Sequence, residues 1–165
     1  MEIVNPSKLN GSEFTYAAPA GSYEKFMVGI GLDQTLNASD PVSFEQGHPL
    51  SAAEAMYWSW AAKYRFVRID GKANENAIVG DTTDLLIAYH PGADDFYDTR
   101  TFEKPFVLVE GETTELVINL DMAKVFDGPG GAINVPTEPQ THTAPDDYDL
   151  AVKFSKNFVA AFDVK

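Results

Sequence analysis

What most constrains this chain is the rhythm of its apolar residues: short alternating runs, each cut by turn-forming residues before a long helix could form. The clearest is Tyr64-Arg-Phe-Val-Arg-Ile-Asp70, where aromatic or aliphatic residues alternate with charged ones, the pattern of a strand with one buried face, and Gly71 turns it. Asp84 to His90 and Thr101 to Glu110 read as further strands, and Thr114 to Leu120 as another alternating one with Leu116, Ile118 and Leu120 on one face. The acidic loop Pro91 to Arg100 joins the first two, and a Gly111-Glu112 turn the last two. Earlier, Glu13 to Ala18 and Tyr23 to Ile30 read as strands around a Pro19-Ala20-Gly21-Ser22 turn, with Tyr23, Phe26 and Val28 as core candidates. Gly31 to Leu50 is a long loop rich in Asn, Asp, Pro and Gly. Ile133 to Val135 is a short edge strand ended by Pro136, and Pro136 to Asp149 is polar loop.

Helical signals are few. Ser51-Ala-Ala-Glu54 is a capping box that should start a short helix toward Met56 or Trp58. Asp121 to Phe126 gives one helical turn, stopped by Asp127-Gly-Pro-Gly-Gly131. Leu150, Phe154, Phe158 and Phe162 recur at helical spacing and predict an amphipathic terminal helix. Many short strands with small helical additions imply a sandwich or barrel, and 165 residues imply one domain, 1–165, with its own core.

Composition narrows the function classes. With 12 Lys and Arg against 25 Asp and Glu, the net charge of −13 repels phosphate backbones, so no nucleic acid is expected as a partner. Cysteine is absent, which removes disulfides, thiolate metal sites and thiol nucleophiles. No run approaches the length of a membrane span, so no transmembrane segment is expected. The opening Met-Glu-Ile-Val-Asn-Pro lacks the basic and apolar regions of an export signal, and the chain is expected to be a trimmed form of a longer product. No phosphate loop, His-Glu-x-x-His or Gly-x-Ser-x-Gly is present, and no acid pair stands out by spacing, so the chain reads as not an enzyme.

The unusual segment is Met56-Tyr57-Trp58-Ser59-Trp60-Ala61-Ala62-Lys63-Tyr64-Arg65-Phe66, which holds both tryptophans. In a strand Trp58 and Trp60 face the same side; in a helix they would stand about 200° apart. The histidines are His48, His90 and His142.

These residues carry a family resemblance. The signature just quoted, with its Met-aromatic-Trp-x-Trp start and Tyr-x-Phe end, resembles that of the MbnP family, the methanobactin-associated periplasmic proteins. Pro19-Ala-Gly21 leading into Tyr23-Glu-Lys-Phe-Met-Val-Gly-Ile-Gly-Leu-Asp33, with Asn37 after it, is similar to the family's turn and strand end. Tyr89-His90-Pro91-Gly92 resembles its His-x-Gly element, Asp121-Met122-Ala-Lys-Val-Phe126 its strand-to-turn unit, and Asn157-Phe158 to Phe162 its closing motif. Together the elements span Ala18 to Val164.

The resemblance implies a mainly β protein, an antiparallel β-sandwich of Greek-key or jelly-roll type with short helical additions and a C-terminal helix. It implies an exported protein, periplasmic or held at the cell surface as a lipoprotein through a segment outside this chain. It implies copper binding, Cu(I) or Cu(II), for uptake, storage or delivery. In the family one tryptophan of the signature is oxidised to kynurenine by a di-haem MbnH-like, peroxidase-related partner, and kynurenine joins histidines in holding copper. Carried onto this chain, the tryptophan is Trp58 or Trp60, the first histidine is His90, and His48 is the next candidate; His142 matches no family element. Imidazole suits copper, and kynurenine offers an amine and a ketone where indole offers almost nothing.

Two departures stand out. Family members carry a further N-terminal portion of the sandwich that is not found before Ser12, and Pro91 stands where an apolar residue is usual. Two other readings compete: a cell-surface interaction or carbohydrate-binding module that stacks sugars on Trp58 and Trp60 without metal, and a calcium site in Asp33, Asn37 and Asp40 or in Asp94, Asp95 and Asp98.

Overall fold

The computed structural model describes residues 1–5, 12–59, 63–74 and 85–165. The molecule is mainly β and sandwich-like, with small sheets, short helical turns and a C-terminal helix at Tyr148–Ala160. Aromatic cross-strand pairs hold the outer ribbons. Gly21–Tyr23 pairs antiparallel with Phe106–Leu108, stacking Tyr23 on Phe106 at 5.2 Å, and Phe26–Ile30 pairs with Asp98–Phe102, stacking Phe26 on Phe102 at 4.9 Å. Tyr23, Phe26 and Val28 are half-buried there.

The sheet that matters for function has three strands. Leu85–Tyr89 lies in its middle, antiparallel to Ile69–Ala73 on one side and parallel to Gln140–Thr141 on the other. Its inward face joins Val67, Tyr89, Val125, Ile133, Phe154 and Ala161 in the larger core cluster, where Tyr89 stacks on Phe154 of the C-terminal helix at 5.1 Å. A second cluster, Leu32, Leu50 and Tyr64 with Phe44, Met56, Tyr57 and Phe66 against it, sits under the loop 31–50. That loop is not featureless: Asp33 caps a short helix at Gln34–Asn37, and Asp40 caps a 3-10 turn at Pro41–Ser43.

Several elements depart from expectation. Glu13 to Ala18 forms no strand; it is exposed throughout, so no face is buried to favour one. The Ser51 capping box does not close. Ser51 accepts from the Ala53 amide, but Glu54 accepts from Gly47 N, and Ala55 turns left-handed (φ 56°), so only the 3-10 turn Ala52–Glu54 forms and Tyr57–Ser59 continues as a strand. The expected strand Tyr64–Asp70 is broken between Lys63–Tyr64 and Ile69–Ala73. The amides of Phe66 and Val67 both turn to one acceptor, the Pro91 carbonyl, and Pro91 has no N–H with which to continue a ladder. Thr114 to Leu120 shortens to Ile118–Leu120. Ile133 enters the core without a strand around it, and Phe162 leaves the helix for the strand Phe162–Val164.

The glycine run after Phe126 has a packing reason. Asn157, fully buried on the C-terminal helix, accepts from Gly130 N and donates to Gly131 O at 2.7 and 2.8 Å. A Cβ on Gly130 would lie 2.5 Å from the Lys153 carbonyl, so the loop can approach the helix only as glycine.

Candidate metal centre

Three rings from distant parts of the chain meet at the end of the central strand. Thr141 is the parallel partner of Tyr89, and the His90 amide donates to the Thr141 carbonyl at 2.9 Å, so His90 and His142 each follow a paired residue. Their rings stand 5.1 Å apart, nearly perpendicular. Trp58, on the hairpin formed by Tyr57–Ser59 and Lys63–Tyr64, brings its indole to 5.7 Å from His90 and 4.8 Å from His142, centroid to centroid. His90 is buried, His142 half-buried, and Trp58 is 41 % exposed, so the indole is open to solvent while the first imidazole is not.

Each arm is held by backbone-level devices. Arg65 N closes the hairpin by donating to Met56 O, and Phe66 N ties it to the segment after the central strand by donating to Pro91 O, both at 2.8 Å. Pro91 is fully buried, and a Cβ on Gly92 would lie 2.1 Å from the Tyr64 carbonyl oxygen. The glycine of the His-x-Gly element is thus needed for contact between the two backbones that carry Trp58 and His90. On the other side, Asp147 occupies the N-cap of the C-terminal helix but does not cap it. Its carboxylate turns back to accept from the Thr141 hydroxyl, His142 N and Ala144 N, at 2.8 to 2.9 Å. Thr143, left-handed at φ 63°, completes this knot by accepting from Gly92 N.

The electrostatics divide sharply between His90's two nitrogens. Nε2 lies 2.7 Å from Asp70 Oδ1, and the other carboxylate oxygen accepts from Arg68 Nε at 2.6 Å. Nδ1 is buried and has no hydrogen-bond partner among the described residues. Burial raises the Asp70 carboxyl, but the hydrogen bonds from Arg68 and His90 outweigh it and hold it below the ordinary carboxylate range. Burial pushes His90 below the usual imidazole value; Asp70 opposes this, while Arg65 and His142 reinforce it. A neutral, desolvated imidazole with one free lone pair is what a metal requires of histidine. Over the indole lies the Arg65 guanidinium, 4.5 Å from its centroid. Burial and Arg68 lower the pKa of Arg65, against Asp70.

Among the described residues, no group of three or more His, Cys, Asp or Glu side chains is placed to hold a metal alone. The donor set present is two imidazoles, one with an orphaned nitrogen, beside an indole that cannot coordinate. Two imidazoles fit Cu(I), and a third donor at position 58 would complete the set.

The other sequence candidates lie elsewhere. His48 stacks on Phe44 at 4.4 Å and its Nδ1 accepts from Leu50 N, so it finishes a turn away from the ring cluster. Trp60 lies outside the described residues. Met56 packs in the second core cluster, and Met122 is exposed. The acids of the calcium reading are already engaged: Asp33 and Asp40 as caps, Asp94 with Asn37 and Lys63, Asp95 with the Tyr148 hydroxyl. His142, Asp70, Arg65 and Asp147 enter the site through the structure. For His142 the available signal was Thr141-His142-Thr143, a β-branched stretch near a polar loop, which does not by itself announce a parallel pairing.

The chain matches the family model described as MbnP over residues 4–144. Comparison with curated proteins and with solved structures returned no significant match. No helix among the described residues is long and apolar enough to cross a membrane.

Proposed function

This chain belongs to the MbnP family, and from that premise we propose that it is an exported copper-binding protein, not itself an enzyme, whose site is Trp58, His90 and His142. The observation that carries the reading is the triangle of these three rings, with centroids 4.8 to 5.7 Å apart, and a buried His90 nitrogen without a partner among the described residues. Two imidazoles bind Cu(I) well but leave the site under-coordinated, and a kynurenine at position 58 supplies the missing amine and ketone.

The conversion balances as an oxidation by peroxide on a di-haem, peroxidase-related partner. Two equivalents of peroxide place an oxygen on each carbon of the indole C2–C3 bond and leave as two waters, and hydrolysis then releases C2 as formate. The exposure of Trp58 suits electron withdrawal by a partner docked outside the protein. The carbohydrate reading has less support, because the Arg65 guanidinium lies over the Trp58 ring that a sugar would need.

The test is intact and tryptic-peptide mass on protein purified from its native host, with copper measured on the same sample. The reading expects one oxygen gained and one carbon lost at Trp58, with copper close to one per chain. Unmodified tryptophans and no copper in the native protein would sink it. A modified Trp60 beside an intact Trp58 would move the site off the triangle.

A further inference from the structure

We infer that Asp70 is a positioning residue that locks His90 as the Nε2–H tautomer, so that His90 offers Nδ1, and not Nε2, to a metal. This deepens the copper reading and rests on it for the identity of the ligand, but the tautomer itself belongs to the metal-free protein.

The sheet register places the pair. Asp70 is opposite Ala88 and Ile69 opposite Tyr89 in the antiparallel pairing, so Asp70 and His90 are diagonal neighbours whose side chains share a face. The diagonal brings Asp70 Oδ1 to 2.7 Å from Nε2, a charge-assisted distance. Arg68, two residues before Asp70 on the same chain segment, bonds the other carboxylate oxygen at 2.6 Å. Asp70 is thereby oriented from its far side and kept anionic, and an anionic carboxylate can only accept.

The alternatives fail on the same geometry. A proton on Nδ1 would be an orphaned donor, since that nitrogen is buried without a partner, and the Nε2 lone pair would face a carboxylate. A doubly protonated ring would leave its Nδ1–H equally orphaned, since only Nε2 meets a carboxylate. The remaining state donates Nε2–H to Asp70 and leaves the Nδ1 lone pair free. This is the carboxylate–histidine–metal relay in which the outer carboxylate fixes ring orientation and raises donor strength, and loss of that outer partner costs roughly 10- to 100-fold in metal affinity.

The deciding measurement is long-range ¹H–¹⁵N correlation on uniformly labelled, metal-free full-length protein at neutral pH. The expected spectrum shows His90 Nε2 protonated and Nδ1 with the shift of an unprotonated ring nitrogen. In Asp70→Ala the two nitrogens should average toward the ordinary tautomer mixture, whereas in Asp70→Asn, whose single oxygen is claimed by Arg68, the amide NH2 faces Nε2 and the proton should shift toward Nδ1. Titration with Cu(I) against a competing chelator, on protein carrying the matured residue 58, should weaken about 10- to 100-fold in Asp70→Ala. A protonated Nδ1 in the wild type, or an Asp70→Ala variant with unchanged tautomer, overturns the inference. If the tautomer is as stated but matured protein takes up no Cu(I), the copper reading fails and the tautomer assignment survives.

Discussion

Replacing Gly92 with alanine tests the assembly of the site without touching any of its rings. The added Cβ would sit 2.1 Å from the Tyr64 carbonyl oxygen and 2.9 Å from the Arg65 Cα. Both atoms are backbone, so no side-chain rotation relieves the clash, and the segments 64–66 and 90–92 must separate. Separation endangers the Phe66 N to Pro91 O bond, 2.8 Å, and the Gly92 N to Thr143 hydroxyl bond, 3.1 Å. At about 1 kcal/mol net for each bond, and about 1 to 2 more for groups left buried without partners, the cost is roughly 3 to 4 kcal/mol. Gly71→Ala is the matched control in the same sheet: its Cβ would meet the Ile87 side chain at 3.4 Å, and strand alanine has less entropy to lose than glycine. Urea denaturation of the metal-free proteins should show Gly92→Ala far below wild type, with Gly71→Ala within about 1 kcal/mol of it. Near-UV circular dichroism should change in Gly92→Ala alone, as the hairpin that carries Trp58 shifts relative to His90. A Gly92→Ala protein within about 1 kcal/mol of wild type, at equal denaturant dependence, would refute the close-contact argument.

The other predictions concern the parts that surround this contact. Tyr64→Phe removes the hydroxyl that donates to Leu50 O at 2.8 Å from a buried position, and should cost about 1 to 2 kcal/mol in the same denaturation assay. His48→Ala should lower stability slightly through its stack on Phe44 yet leave copper stoichiometry unchanged, whereas His142→Ala should abolish stoichiometric copper, measured by metal analysis of matured protein. The Glu138 carboxyl is held below its ordinary value, first by the hydrogen bond from Lys153 at 2.5 Å and further by Asn134 N, against burial. Because its folded pKa is depressed, its stabilisation is present above the unfolded value of about 4.3 and is lost as pH falls through the folded one. Glu138→Gln should therefore flatten the acid limb of the stability–pH profile, followed by thermal melts below pH 5.

How far the molecule could be read in advance depended on the range of the forces involved. The apolar run Leu85–Tyr89 and the spacing of Leu150, Phe154 and Phe158 are local patterns, and both elements formed where they pointed. Tyr64 to Asp70 carries the clearer alternation, but Pro91, distant in sequence, withholds the N–H that a ladder there would need, and the strand breaks. The Ser51 capping box failed for a similar reason, since Gly47 N competed for the Glu54 carboxylate. At the candidate site, His90 and the pair Trp58 and Trp60 stood out because their motifs are dense and unusual, while the meeting of Trp58 with His90 appears only in the structure. His142 did not stand out, because its place follows from a parallel register with Tyr89 and from a helix N-cap that caps backwards. His48 looked equivalent in sequence and was separated from the others only by its ring stack and local turn.

The location of the rings shows how, on the proposed reading, a β-protein without cysteine would hold a metal by so few groups. Trp58 is carried by the hairpin whose Tyr57 and Tyr64 pack in the smaller core cluster, and His90 follows Tyr89, which is fully buried in the larger one. The site therefore lies on the seam between two packed bodies, and the seam is closed by backbone contact at Pro91 and Gly92. Side-chain packing alone leaves rotamer freedom, but backbone contact fixes the carriers, so the indole and the imidazole keep their separation with no metal present. His142 is held differently, by Asp147 at the start of the C-terminal helix, and that knot meets the seam through the Gly92–Thr143 bond. A ligand set arriving from three chain segments is thus tied together at one glycine. On the proposed copper reading, preorganisation of this kind would let two imidazoles wait for a third donor supplied by an oxidised Trp58.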